Sequence, residues 1–139
     1  MSLETRVSIS EAEQLVKEAF LKNGVQEDVA ASVSTALVAA EAEGQVGHGF
    51  SRVKDYIAQV KSKKINVDAK IKIEHPKPTS LSIDADYGFA YPALDQAISE
   101  GALVAKEYGS AVVSIFNSHH CGALSIQVEK IANHGLIGL

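Results

Sequence analysis

The residues best equipped for chemistry lie in two stretches, "EAEGQVGHGFSRVKDY" (Glu41–Tyr56) and "VVSIFNSHHCGALSI" (Val112–Ile126). The second holds adjacent histidines and the only cysteine, between two apolar segments. Three chemistries compete for it. A metal site would draw ligands at spacings such as C-x₂-C or H-x₃-H. Adjacent His119 and His120 point apart on a strand or a helix, no second cysteine exists, and His75 and His134 supply no paired ligand, so no metal is expected. A nucleophilic Cys121 would sit at a strand-to-helix turn, where amide dipoles favour a thiolate. Its sequence neighbours rarely reach the sulfur as a base must. The third chemistry suits the residues best. A strand ends, the chain turns, and a helix begins near Cys121–Ala123, so its first amides are unpaired and partly positive, a seat for phosphate or carboxylate. Gly122 lets a ligand approach the backbone, and a histidine there moves protons near neutral pH. The plainer alternative has His119 and Asn117 satisfying turn backbone groups.

In the first stretch, glycines flank His48, which implies a tight or closely approached backbone. With a helix beginning near Gly49, His48 and Arg52 share one face four residues apart. Arg52 offers a planar fork for a carboxylate, and a histidine one turn away handles a proton beside it. The alternative is an exposed Arg52 paired with Glu43 or Asp55.

The elements that must position these groups follow from periodicity. Val7–Gly24 reads as a helix: Ser8 and Glu11 have capping-box spacing, Ala12, Leu15, Val16, Ala19 and Phe20 form one stripe, and Gly24 suits a left-handed stop. Gln26–Gly44 is a second helix, with Val29, Val33, Ala36, Leu37 and Ala40 inward, and Phe50–Lys61 a third, with Val53, Tyr56, Ile57 and Val60 inward. Alternation of Val67, Ala69, Ile71 and Ile73 predicts a strand closed by Pro76 and Pro78. Thr79–Gly88 is a second strand running into a turn at Asp86–Gly88. Tyr91–Gly109 is a helix burying Leu94, Ala97, Ile98, Ala102 and Ala105. The apolar run Ser110–Phe116 predicts a strand covered on both faces, Ala123–Gly135 a helix, and Leu136–Leu139 the start of another strand. The order α-α-α-β-β-α-β-α-β divides into a helical subdomain, 1–70, and the first part of an α/β domain, 71–139. A chain stopping inside a strand implies a fragment or a missing partner. The opening "MSL" reads as an added leader.

Composition narrows the class. The chain has 139 residues, 46% hydrophobic and 22% charged, enough for one core. A net charge of −4 with no basic block argues against nucleic acid or an anionic membrane. No apolar run is long enough to span a bilayer, no signal core follows the start, and a single cysteine fits the cytoplasm.

Taken together, "AEAEGQVGHGFSRV" (Ala40–Val53), "IDADYGFAYPALDQAI" (Ile83–Ile98) and "VVSIFNSHHCGALSIQVEKIANHGLIGL" (Val112–Leu139) resemble the amino-terminal part of the malate/L-lactate dehydrogenase-like family. These are NAD(P)-dependent oxidoreductases of 2-hydroxy acids and cyclic imino acids, with a non-Rossmann mixed-sheet α/β cofactor-binding domain. The resemblance implies that His120 is the acid/base histidine and that His120, Cys121, Gly122, Ala123 and Leu124 form the cofactor-contacting turn. It further implies that His48 is the proton donor of the imino-acid reductases, that Arg52 holds the substrate carboxylate, and that the protein is a homodimer. One position departs: the family carries Ser before its first histidine, and this chain has Gly47. That loses a hydroxyl able to orient His48 and favours a malate- or lactate-like substrate over a piperideine- or pyrroline-2-carboxylate. The competing class is a non-catalytic fragment or interaction module.

Overall fold

A computed structural model describes residues 5–139. Met1–Leu3, read above as an added leader, lie outside them. The order is α1 (Ile9–Leu21), α2 (Glu27–Ala42), α3 (Ser51–Lys61), β1 (Lys72–Lys77), β2 (Ser80–Asp84), α4 (Ala90–Tyr108), β3 (Val112–Phe116) and α5 (Leu124–Asn133). The fold is α/β: helices first, then a small mixed sheet.

α1 begins as its sequence dictates. Ser8 Oγ accepts the Glu11 amide hydrogen, and the Glu11 carboxylate accepts from the Ser8 amide, so two orphan donors are satisfied reciprocally. Ala12, Val16 and Phe20 face inward, while Leu15 stays exposed. α2 departs from a single stripe. Ala30, Val33, Ser34, Ala36, Leu37, Val38 and Ala40 are all buried, because α1, α4 and α5 pack around it. A helix enclosed on several sides needs small and apolar residues all round.

The sheet has the order β1-β2-β3, with β1 antiparallel and β3 parallel to β2. β2 is the inner strand, with Leu81 and Ile83 buried. Four expectations are corrected here. The first strand lies at Lys72–Lys77, not across Val67–Ile73. Residues 66–71 spend their backbone groups on the Asp86 loop instead, Asn66 donating to the Tyr87 carbonyl and the Lys70 amide to Asp86. Pro76 sits within β1 rather than ending it, at the irregularity between Glu74 and Lys77, where an edge strand tolerates a missing donor. β3 is not covered on both faces. Val113 and Ile115 pack with Ile83 and Ala97, but Val112 and Phe116 are exposed at the sheet edge. Leu136–Leu139 form no strand; they have no ladder partner, and Gly138 lies against Ile131.

The largest core joins α1, α2 and α3 to the start of α4, through Phe20, Val33, Leu37, Tyr56, Phe89 and Tyr91. A second lies between the sheet and α4, around Ile83, Ala93 and Ala97. No helix among the described residues is long and apolar enough to cross a membrane.

Candidate active site

Two local structures present the chemical groups. Ahead of α3 the chain winds in tight turns, the His48 amide donating to Gln45 and the Arg52 amide to Gly49. α3 therefore begins at Ser51, one residue later than expected. Glu41 in α2 pins this turn, its carboxylate accepting the Phe50 amide hydrogen at 2.8 Å. Gly49 is required by that approach, since a Cβ would overlap the Glu41 side chain and come within 3.0 Å of its Cα. Gly47, by contrast, faces open space. The second structure is the β3–α5 turn. Asn117 takes a left-handed φ of 49° and donates to Asp84, so it serves the turn itself. Gly122, at φ 70°, lets the turn settle on Tyr91, where a Cβ would stand 2.5 Å from the phenol oxygen.

Between these structures four side chains converge. The His120 Nδ1 lies 2.9 Å from the Tyr56 hydroxyl, and that hydroxyl 3.1 Å from the hydroxyl of Tyr91. The Gly122 amide also donates to Nδ1, at 3.3 Å. The His48 ring stacks on His120 with centroids 5.5 Å apart and planes 17° from parallel. Partial burial, then the Arg52 charge, then His48 hold His120 below its ordinary pKa of 6.5. Burial raises both Tyr56 and Tyr91, so both stay neutral phenols.

Arg52 lies in the same field. Its Nε donates to the Gly47 carbonyl at 2.6 Å, which fixes the guanidinium beside the His48 turn. The ion pair with Asp55 expected as the plain alternative exists, but it is long, 3.5 Å, and solvent-exposed, and such pairs contribute little. Nη2 is left without a protein partner among the described residues.

The residues singled out from sequence thus fall together: His48, Arg52 and His120 on one side, and the Cys121–Leu124 turn directly beyond. Cys121 is half-buried, Ala123 buried, and the Leu124 side chain points outward. No side chain caps α5, whose N-cap is Ala123. The open amides there, with Gly122 presenting bare backbone, fit a phosphate or carboxylate group. Among the described residues no three His, Cys, Asp or Glu side chains gather as a metal site. Two members escaped sequence reasoning. Tyr56 was read as core, although its position four residues after Arg52 puts it on the same helix face. Tyr91 carried no signal at all, because only tertiary packing brings α4 beneath the turn.

The chain belongs to the malate/L-lactate dehydrogenase family, whose model matches residues 7–139. It is 35% identical to a (2R)-3-sulfolactate dehydrogenase (NADP(+)) of Chromohalobacter salexigens, over 96% of this chain and 40% of that one. Solved structures agree. The delta1-piperideine-2-carboxylate reductase of Pseudomonas syringae superposes with a TM-score of 0.90 at 30% identity, over 95% of this chain and 40% of that one. The malate dehydrogenase of Pyrococcus horikoshii gives 0.89 at 27%, over 94% and 38%. The chain therefore spans about two-fifths of the length of these relatives.

Proposed function

We propose that the protein is an NAD(P)-dependent oxidoreductase interconverting a small 2-hydroxy acid and its 2-oxo acid, such as malate or lactate and their oxo forms. The observation that carries this reading is His120 bonded through Nδ1 at the mouth of an uncapped helix, in the field of Arg52. Residues 1–70 act as a helical subdomain supplying His48 and Arg52, and 71–139 begin the cofactor-binding domain. Each group has one task. Arg52 fixes the substrate carboxylate through its unused Nη2, which orients the molecule. His120 exchanges a proton with the substrate oxygen at Nε2, the ring nitrogen that Tyr56 and Gly122 leave unoccupied. The turn His120, Cys121, Gly122, Ala123 and Leu124 would hold NAD or NADP, through the backbone amides that follow Gly122, whose own amide is spent on His120. When bound, the nicotinamide supplies the hydride chemistry. The working form is a cytoplasmic homodimer.

Cyclic imino-acid reduction is the second reading, favoured by the His48–His120 stack and the likeness to a piperideine-2-carboxylate reductase. Against it, His48 Nδ1 is buried without a hydrogen-bond partner among the described residues, and Gly47 offers no hydroxyl to supply one. Assays of NADH and NADPH oxidation with pyruvate, oxaloacetate and piperideine-2-carboxylate decide between them. Turnover of an oxo acid supports the first reading, and turnover of the imine alone the second. Failure to bind either dinucleotide, measured by calorimetry, would favour the competing class, a non-catalytic fragment or interaction module.

A further inference from the structure

A tyrosine hydroxyl deep in an apolar core asks for a reason, since phenylalanine fills the same space without burying a polar group. Tyr91 is 2% exposed and packs within the largest core cluster. Among the described residues its hydroxyl has one hydrogen-bond partner, the hydroxyl of Tyr56, whose other partner is His120 Nδ1. Its ring also forms the floor under Gly122, whose amide meets the same Nδ1. Tyr91 thus touches both of the groups that grip the imidazole, though it does not touch the ring's working edge. We infer that Tyr91 is a positioning residue for His120, setting the direction of a hydrogen-bond chain that fixes which imidazole nitrogen carries the proton.

Donor counting sets that direction. The Gly122 amide can only donate, so Nδ1 is best satisfied as an acceptor. If Tyr91 donates to Tyr56 and Tyr56 to Nδ1, every buried hydroxyl hydrogen has an acceptor. The neutral ring then carries its proton on Nε2, aimed away from the tyrosines toward the substrate side. Both hydroxyls rotate, so a ring protonated at Nδ1 is also served, Nδ1 donating to Tyr56 and Tyr56 to Tyr91. That sense leaves the buried Tyr91 hydrogen without an acceptor and sets Nδ1–H against the Gly122 amide, so the first sense is the resting one. Donation from Tyr91 also polarises Tyr56 and strengthens its grip on Nδ1. Proton exchange at Nε2 uses the second sense. In the doubly protonated ring Nδ1 donates to Tyr56 and Tyr56 to Tyr91. The Nε2 proton goes to the oxo-acid oxygen, and the ring left behind is neutral with its proton on Nδ1. Oxidation runs back from that tautomer, so Tyr91 is the chain's donor at rest and its acceptor in turnover.

This inference rests on His120 being the proton-exchanging group, but its test stands apart from activity. Nitrogen-15 spectra of the histidines in the wild-type chain, above the His120 titration, should show an unprotonated Nδ1 and a protonated Nε2, with a hydrogen-bond coupling from the Tyr56 hydroxyl to Nδ1. Tyr91→Phe keeps the ring and removes only the oxygen. It should give a mixture of His120 tautomers and, in the active enzyme, lower kcat by about five- to tenfold with KM for the oxo acid within twofold. A role in packing alone would leave both tautomer and kcat at wild-type values while lowering Tm, and that result overturns the inference. So does a wild-type ring protonated on Nδ1, a measurement that stands even if the variant fails to fold. A wild type with the expected tautomer but no turnover of any acid or imine would instead overturn the dehydrogenase reading and leave the hydrogen-bond chain standing.

Discussion

At the scale of single residues, the proposed site sets one guanidinium and two imidazoles where an anionic acid would be received. Arg52 has one arm anchored on the Gly47 carbonyl and another loosely on Asp55. Arg52→Lys replaces a planar fork by a point charge and removes the anchor. With a charge-assisted pair contributing roughly 1.5–3 kcal/mol, KM for the acid should rise about 10- to 150-fold; unchanged kcat/KM would take Arg52 out of the site. His120 sets the pH dependence. Its pKa lies below 6.5, so its neutral form already prevails at pH 6.5. In the proposed reaction, hydroxy-acid oxidation needs the neutral ring with Nε2 free, so kcat/KM should climb with pH through a midpoint below 6.5. Reduction, which needs the protonated ring, should decline with pH through the same midpoint. A free-enzyme pKa above 6.5 in either profile would contradict the crowding of His120 by Arg52 and His48. These residue types were readable in the sequence because few side chains do such chemistry. The partners of His120 were not, since Tyr56 and Tyr91 stand 64 and 35 residues from the groups they bond.

Elements position those residues through their ends. α3, β3 and α5 deliver Arg52, His120 and the open amides from their termini, where side chains and backbone groups are free of the ladder. The β3–α5 turn is the tightest of these joints. Gly122→Ala would place a methyl group 2.5 Å from the Tyr91 oxygen at a φ of 70°. Unfolding free energy should drop by at least about 1 kcal/mol, and His120 should lose its fixed ring. Urea titration and the histidine nitrogen spectra check the two halves separately; wild-type values in both would mean that the turn does not rest on Tyr91. Capping is the gentler case. Ser8→Ala breaks the reciprocal bonds with Glu11 and should cost about 1 kcal/mol in the same titration. Local signals read well where they report local physics: the Ser8 cap held, and the Phe50–Lys61 helix shifted by a single residue. They failed where alternation was taken for pairing. Ile71 and Ile73 alternate because each is half-buried against the sheet core, but only Ile73 has a ladder partner.

At the scale of the molecule, α2 is the hub. Leu37 is fully buried among α1, α3 and α4 residues, in the cluster that also holds Tyr56 and Tyr91. Leu37→Ala should destabilise the fold by about 2–5 kcal/mol, with an unchanged urea m-value. Because the hub supports the tyrosine floor, the variant should also loosen His120, seen as faster exchange of its ring protons. A loss below 1 kcal/mol would show that the helices repack without α2 as their common contact. One face of α2 was readable as a stripe. The other became visible only when α4 and α5 folded over it.

By itself, the sequence determined the element order as far as α5 and the helical and sheet parts, and it singled out His48, Arg52 and His120 as candidates, because caps, periodicity and side-chain chemistry act over a few residues. The tertiary structure alone decided that β3 lies at an edge, that His48 stacks on His120, and that two tyrosines from different helices meet beneath the turn. Those depend on contacts between segments far apart in the chain, and periodicity carries no information about which distant face a side chain will meet.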